Sequence, residues 1–147
     1  MADEQKVEEN FVIDSSIVIK WFCQEEDTEK SLFLREKYIQ GELELVSPDL
    51  LLYEIANALR YNKNLSEEDV KEAAESILKL GINIIVPTKE VMDTAISLAR
   101  KYDITVYDAY FLALAKVIKF TLVTADQKLH AKVKGKEPIK LLKEISK

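Results

Sequence analysis

The chain has 147 residues, 48% of them apolar and 32% charged, with a net charge of −5. This is enough for one domain with a real core, while no apolar run approaches the roughly 18 residues that span a bilayer, and the acidic balance argues against a general nucleic-acid coat protein. A single cysteine, Cys23, excludes an internal disulfide and fits a reducing cytoplasm, and a single histidine, His130, argues against a histidine triad or a multi-histidine zinc site.

Residues 1–10 are polar and acidic and read as a flexible tail rather than a secretory leader, leaving one domain over residues 11–147. Phe11 to Ile13 reads as a short buried strand. Asp14-Ser15-Ser16 then opens an apolar helical stretch from Ile17 to Phe22. Thr28 is placed to cap a helix to Tyr38, which Gly41 closes. A second strand runs from Leu43 to Val46. Ser47-Pro48 reads as an N-cap with proline at the first helical position, starting a helix to about Tyr61. Ser66 to Asp69 has capping-box spacing and begins a helix ending at Gly81. Asn83 to Val86 is a third strand. Thr88 caps a helix to Tyr102, and Thr105 caps another from Val106 to Ile118. Phe120 to Val123 is a fourth strand, and Ile139 to Ile145 is a last strand or helix. Strands alternating with helices predict a three-layer α/β/α sandwich around a parallel sheet. In such sheets ligands gather beyond the carboxyl ends of the strands.

Four carboxylates stand in apolar surroundings: Asp14 after Phe-Val-Ile, Glu54 in Leu-Leu-Tyr-Glu-Ile-Ala, Asp108 in Val-Tyr-Asp-Ala-Tyr-Phe, and Asp126 after Leu-Val-Thr-Ala. An isolated carboxylate there is costly unless it is paired, hydrogen-bonded, protonated or metal-bound. No lysine or arginine in these runs answers them, so one shared cation is the economical reading. Oxygen donors select Mg2+ or Mn2+, and such ions assist phosphoester chemistry. Taken singly each acid has an ordinary explanation. Glu54 can snorkel to water, Asp108 can complete a capping box with Thr105, and Asp14 and Asp126 can be strand-end turn residues. The expectation that they converge on one cleft rests on the coincidence of all four.

The segments Val-Ile-Asp14-Ser-Ser-Ile-Val, Ser-Pro-Asp-Leu-Leu-Leu-Tyr-Glu54-Ile-Ala-Asn-Ala-Leu, Tyr107-Asp108-Ala-Tyr-Phe-Leu-Ala-Leu-Ala and Leu-Val-Thr124-Ala-Asp126-Gln-Lys-Leu, in this order and spacing, resemble the PIN-domain family, most closely its VapC-like toxins. The resemblance covers nearly the whole chain from Phe11. It implies a Mg2+- or Mn2+-dependent endoribonuclease with Asp14, Glu54, Asp108 and Asp126 as its acidic, metal-binding centre. Asp14 and Asp108 would touch the metal, and Glu54 and Asp126 would complete the site or orient the attacking water. Ser16 and Thr124 would be hydroxyl partners that position the ligands. Some members carry a further acid close after the last aspartate; here the next acid is Glu137. The resemblance also implies a homodimer and a small antitoxin covering the cleft, the chain being the toxin of a type II pair.

The residues alone leave other readings open: a PIN-like module that binds RNA or protein without cutting, a metal-dependent nuclease or phosphatase acting on DNA, or acids that are only solvated caps. Lys128, Lys132, Lys134, Lys136, Lys140, Lys143 and Lys147 outnumber Glu137 and Glu144 at the carboxyl end. Because this stretch follows Asp126, Lys128, Lys132 and Lys134 are expected to hold RNA phosphates, against the alternative of a solvated tail. Phe33, Tyr38 and Tyr61 lie in otherwise polar stretches and are candidates for an interface.

Overall fold

The computed structural model describes residues 9–146. In chain order these form β1 (Glu9–Ile13), α1 (Ser15–Val18) with a 3-10 turn (Ile19–Trp21), α2 (Thr28–Ile39), β2 (Leu43–Pro48), α3 (Leu50–Arg60) and α4 (Glu67–Leu80). Then come β3 (Asn83–Ile85), α5 (Lys89–Tyr102), α6 (Val106–Ile118), β4 (Thr121–Thr124), α7 (Gln127–Val133), β5 (Ile139–Leu141) and a closing 3-10 turn (Leu142–Glu144).

All five strands are parallel, in the order β3-β2-β1-β4-β5. The connections β1→β2→β3 step one way across the sheet, and β3→β4→β5 step the other. Right-handed crossovers therefore place α1 to α4 on one face and α5 to α7 on the opposite face. The direction reverses between β1 and β4, which pair with Ile13 opposite Val123. Beyond the carboxyl ends of those two strands lies the crevice where ligands of open α/β sheets bind.

The central strand explains itself: Phe11, Val12 and Ile13 are covered on both faces, so β1 reads as a continuous apolar run rather than an alternation. The same logic makes α6 apolar on every side. It lies between β1, β2 and β4 and the overlying α5, and every residue from Ala109 to Ala115 is buried. Small alanines in that run let α5 and the sheet approach closely from both sides. The buried α6 carries Asp108 in its first turn.

Several boundaries differ from the sequence reading. β1 begins at Glu9, so residues 9 and 10 belong to the sheet rather than to a tail, and the rest of that tail, residues 1–8, lies outside the described residues. Ser47 and Pro48 end β2 instead of opening α3: Ser47 is fully buried and its Oγ donates to the Ile13 carbonyl at 2.8 Å, so its hydroxyl serves the sheet and Asp49 takes the cap position. Thr28 is not an N-cap either. Asp27 holds that place in the left-handed region (φ 59°), and the Thr28 hydroxyl accepts from the Glu25 N–H at 2.9 Å. α7 is a true helix where the sequence showed a lysine-rich stretch; its buried Leu129 and Val133, four apart, form the only apolar stripe. The caps at Ser66, Thr88 and Thr105 are as expected, with a complete capping box between Ser66 and Asp69.

Candidate active site

Asp14 follows the last residue of β1 and caps α1. Its Oδ1 accepts from the Ser16 N–H at 3.1 Å and from Ser16 Oγ at 2.5 Å, and its Oδ2 accepts from Thr124 Oγ1 at 2.5 Å. Thr124 ends β4, one register step beyond the Ile13–Val123 pair, so parallel pairing alone brings its hydroxyl to Asp14. The same two hydroxyls fix the turn after β4. Ser16 Oγ accepts from the Ala125 N–H at 2.8 Å, and Thr124 Oγ1 accepts from the Asp126 N–H at 3.0 Å. Asp126 in turn caps α7, its Oδ1 accepting from the Leu129 N–H at 3.0 Å.

The helices bring the other two acids from opposite faces of the sheet. Glu54, on α3, accepts from Ser15 Oγ at 2.8 Å, which ties it to the residue next to Asp14. The sequence reading missed Ser15; the run Asp-Ser-Ser was its only local trace. Asp108 makes half of the expected box, its N–H donating to Thr105 Oγ1 at 3.0 Å. Its carboxyl is close enough to Asp126 to be affected by that charge.

The four acids thus form a continuous chain of like charges. Burial pushes Asp14 up to about 6, against the lowering effect of its Ser16, Thr124 and Ile17 hydrogen bonds, and the Glu54 charge adds to the rise. Glu54 is raised first by burial and then by the Asp108 charge, with its Ser15 bond opposing. Asp108 is raised by burial and by the Asp126 charge. Among the described residues none of the four pairs with a lysine, arginine or histidine, although ion pairs are common elsewhere on the surface. Nor do three or more acidic, histidine or cysteine side chains among the described residues close into a ready-made metal cage. The donor set suits a hard divalent cation in chemistry, since it is all oxygen, partly desolvated and short of positive charge.

The expected RNA-binding lysines separate. Lys128 is exposed in the first turn of α7, beside Asp126. Lys132 is committed to the protein, donating to the Asp103 carbonyl at 2.9 Å. Lys134 is exposed at the far end of α7, about 9 Å beyond Lys128 at helical rise. Glu137 stands outside the site, accepting from Tyr102 Oη at 2.6 Å and from Lys116 Nζ at 2.9 Å. Of the candidate interface aromatics, Tyr61 is 69% exposed, whereas Phe33 and Tyr38 pack partly inward.

The family model of the PIN domain matches residues 11–136. Over 125 residues the chain is 32% identical to ribonuclease VapC3 of Pyrobaculum aerophilum, covering 82% of this chain and 92% of that one. It is 30% identical over 100 residues to exonuclease VapC9 of the same organism, covering 68% and 75%. Among solved structures, the fold is similar to a chain of a toxin–antitoxin complex from Klebsiella pneumoniae, with a TM-score of 0.68 at 16% identity, over 91% of this chain and 98% of that one.

Proposed function

The chain belongs to the PIN-domain family, and from that premise we propose that it is a VapC-like endoribonuclease that uses Mg2+ or Mn2+ held by Asp14, Glu54, Asp108 and Asp126. The observation that carries this reading is the chain of like-charged carboxylates at the sheet's switch point, with no cation among the described residues paired to them. When bound, the ion supplies positive charge against the scissile phosphate and lowers the pKa of water. The protein's own part is alignment. Asp14 is gripped at both oxygens by Ser16 and Thr124, so its orientation is set before any ligand arrives. Asp108, in the first turn of α6, would be the second principal ligand. Glu54, steadied by Ser15, and Asp126, steadied by Leu129, would complete the site or orient the attacking water.

Incubation of wild type and Asp14→Asn with linear RNA, circular RNA and matched DNA tests the proposal. Wild type is expected to cut both RNAs, DNA far more slowly, and nothing in EDTA. Cutting of the linear RNA alone would make the enzyme an exonuclease, the activity named for VapC9. Cleavage that survives EDTA or Asp14→Asn would overturn the carboxylate site.

A small antitoxin is the proposed partner, as in toxin–antitoxin complexes of this fold, and it would bring positive charge into the acidic crevice. A cytoplasmic location fits a ribonuclease with one free thiol; among the described residues no helix is long and apolar enough to cross a membrane. A homodimer is also proposed. Ile96 on α5, 46% exposed, is the candidate contact. Light scattering at micromolar concentration should report a dimer that Ile96→Asp weakens, and a strict monomer in wild type would remove the proposal.

The three lysines should differ in what they do for RNA. A lysine that neutralises one phosphate of a single strand contributes roughly 0.7 to the salt slope of binding. Lys128→Gln should reduce the slope by that amount, Lys134→Gln by less, and Lys132→Gln should chiefly reduce stability. Equal slopes in all three variants and wild type would mean that RNA enters from another side.

A further inference from the structure

A recess of about 240 Å3 lies between α3, the start of α5 and the start of α6. Its lining includes Tyr53, Tyr107, Tyr110, Pro87 and Met92, and among the described residues Asp49 is the only ionisable group there besides the tyrosines. Tyr53 is 67% and Tyr107 64% exposed, whereas Tyr110 is buried. Among the described residues the Asp49 carboxylate has no hydrogen-bond or ion-pair partner, although it holds an N-cap position where such a bond is usual. It lies near the Tyr110 hydroxyl, whose pKa is raised by burial and further by the Asp49 charge, against a bond from the Thr88 backbone.

The position matters as much as the lining. Tyr53 directly precedes Glu54 on α3, and Tyr107 directly precedes Asp108 on α6. Successive helical residues point about 100° apart. Each helix therefore sets a tyrosine of the recess next in the chain to an acid of the crevice, about 100° round the helix from it. A nucleotide whose phosphate sat at the carboxylates would carry its base toward the residues that precede Glu54 and Asp108. Unpaired RNA bases stack on aromatic side chains, and enzymes that act on splayed nucleotides read the Watson–Crick edge by hydrogen bonds. A carboxylate accepts and never donates. Guanine alone among the four bases offers two adjacent N–H donors on that edge, matched to the two oxygens of one carboxylate.

Building on the ribonuclease reading above, we propose that this recess is a base-specificity pocket for an unpaired guanine next to the scissile phosphate, with Tyr53 and Tyr107 as stacking walls and Asp49 as the reader of the guanine edge. The apolar lining alone would suit a protein side chain equally well. The partnerless carboxylate, set in that lining and close in sequence to Glu54, favours the base.

Equilibrium binding on an Asp14→Asn background separates this proposal from the cleavage reaction. The probes are labelled oligouridylates carrying one central guanosine, inosine or adenosine. The guanosine probe is expected to bind roughly tenfold tighter than the inosine probe, which lacks one donor. Adding Asp49→Asn should abolish that preference, and adding Tyr107→Ala should weaken the guanosine probe by roughly tenfold or more. Equal affinity for the three probes, or a preference that survives Asp49→Asn, would overturn the pocket. So would a Tyr107→Ala chain that loses its dimer in light scattering and keeps its base preference, because the recess would then be a protein interface. Wild type that fails to cut any RNA would refute the ribonuclease reading, while the probe affinities would still decide the pocket.

Discussion

Asp14→Asn is expected to lower RNA cleavage by about 100-fold or more and, above pH 6, to make the metal-free protein more stable than wild type. The first effect follows from removing a carboxylate, the proposed metal ligand, that two hydroxyls hold in place, since even partners behind such ligands cost about 10–100-fold when removed. The second follows from linkage. Burial raises Asp14 to about 6 in the folded chain, from 3.8 when free. Between those values the folded state binds the extra proton, so wild-type stability falls as pH rises through this window and the whole penalty is present above it. Two pH units correspond to roughly 3 kcal/mol at most. Asparagine keeps the shape and has no charge to bury; its amide can donate to Thr124 Oγ1, which can turn its proton toward Ser16 Oγ 3.3 Å away. Thermal melts at pH 7.5 should show a gain of roughly 3–8 °C, shrinking to nothing near pH 4. Saturating Mn2+ should raise wild type and leave the variant unmoved, because only a ligand that binds the folded state shifts its melting temperature. A variant that melts lower at pH 7.5 and still cuts RNA would mean that Asp14 is a turn residue and nothing more.

Thr124→Val should move stability the other way. The side chain is fully buried, and its one hydroxyl donates to Asp14 Oδ2 and accepts the Asp126 N–H. Valine fills the space and serves neither. Each buried group left unsatisfied costs about 1–3 kcal/mol, so a loss of about 2–5 kcal/mol is expected. The hydroxyl bond favours the charged form of Asp14, so without it the Asp14 pKa climbs further. The gap between variant and wild type should therefore be widest above pH 6 and narrowest in acid. Cleavage should fall by roughly 10–100-fold, because Asp14 and the turn carrying Asp126 both lose their brace. Chemical denaturation at pH 5 and pH 8 measures the gap; a variant as stable as wild type at both would show that water replaces the hydroxyl and that the brace is dispensable.

The two substitutions touch one hydrogen-bonded unit and are expected to have opposite signs in stability and the same sign in catalysis. That pattern is the mark of a site strained by its function: the charge destabilises the fold, and the hydroxyls that tolerate the charge stabilise it. A pair of ordinary caps would show no such split.

Much of this was written locally in the chain. Apolar runs bounded by turns marked the strands, and Ser66, Thr88 and Thr105 marked helix starts, because a cap is a bond between residues three apart. The four acids were conspicuous because carboxylates are rare in apolar runs. Where local signals competed, tertiary bonds won. Ser47-Pro48 has the chemistry of a helix start, yet the Ser47 hydroxyl is worth more to the buried end of β1. α7 has only two buried apolar positions, so its period was hidden among lysines.

What the sequence by itself determined is therefore the list: parallel strands alternating with helices, and four carboxylates that needed company. Only the tertiary structure decided who keeps company with whom. Strand order set the switch point between β1 and β4, which joined Asp14 to Thr124 across 110 residues and Glu54 to Ser15 across 39. It also spent Lys132 on a backbone carbonyl and set Asp49 beside three tyrosines, with no side-chain hydrogen bond or ion pair among the described residues. The physical reason is range. Caps and periodicity are set by neighbours within a turn or two of chain, whereas a site is made by elements that meet only after the sheet has chosen its order, and that choice depends on packing summed over the whole core.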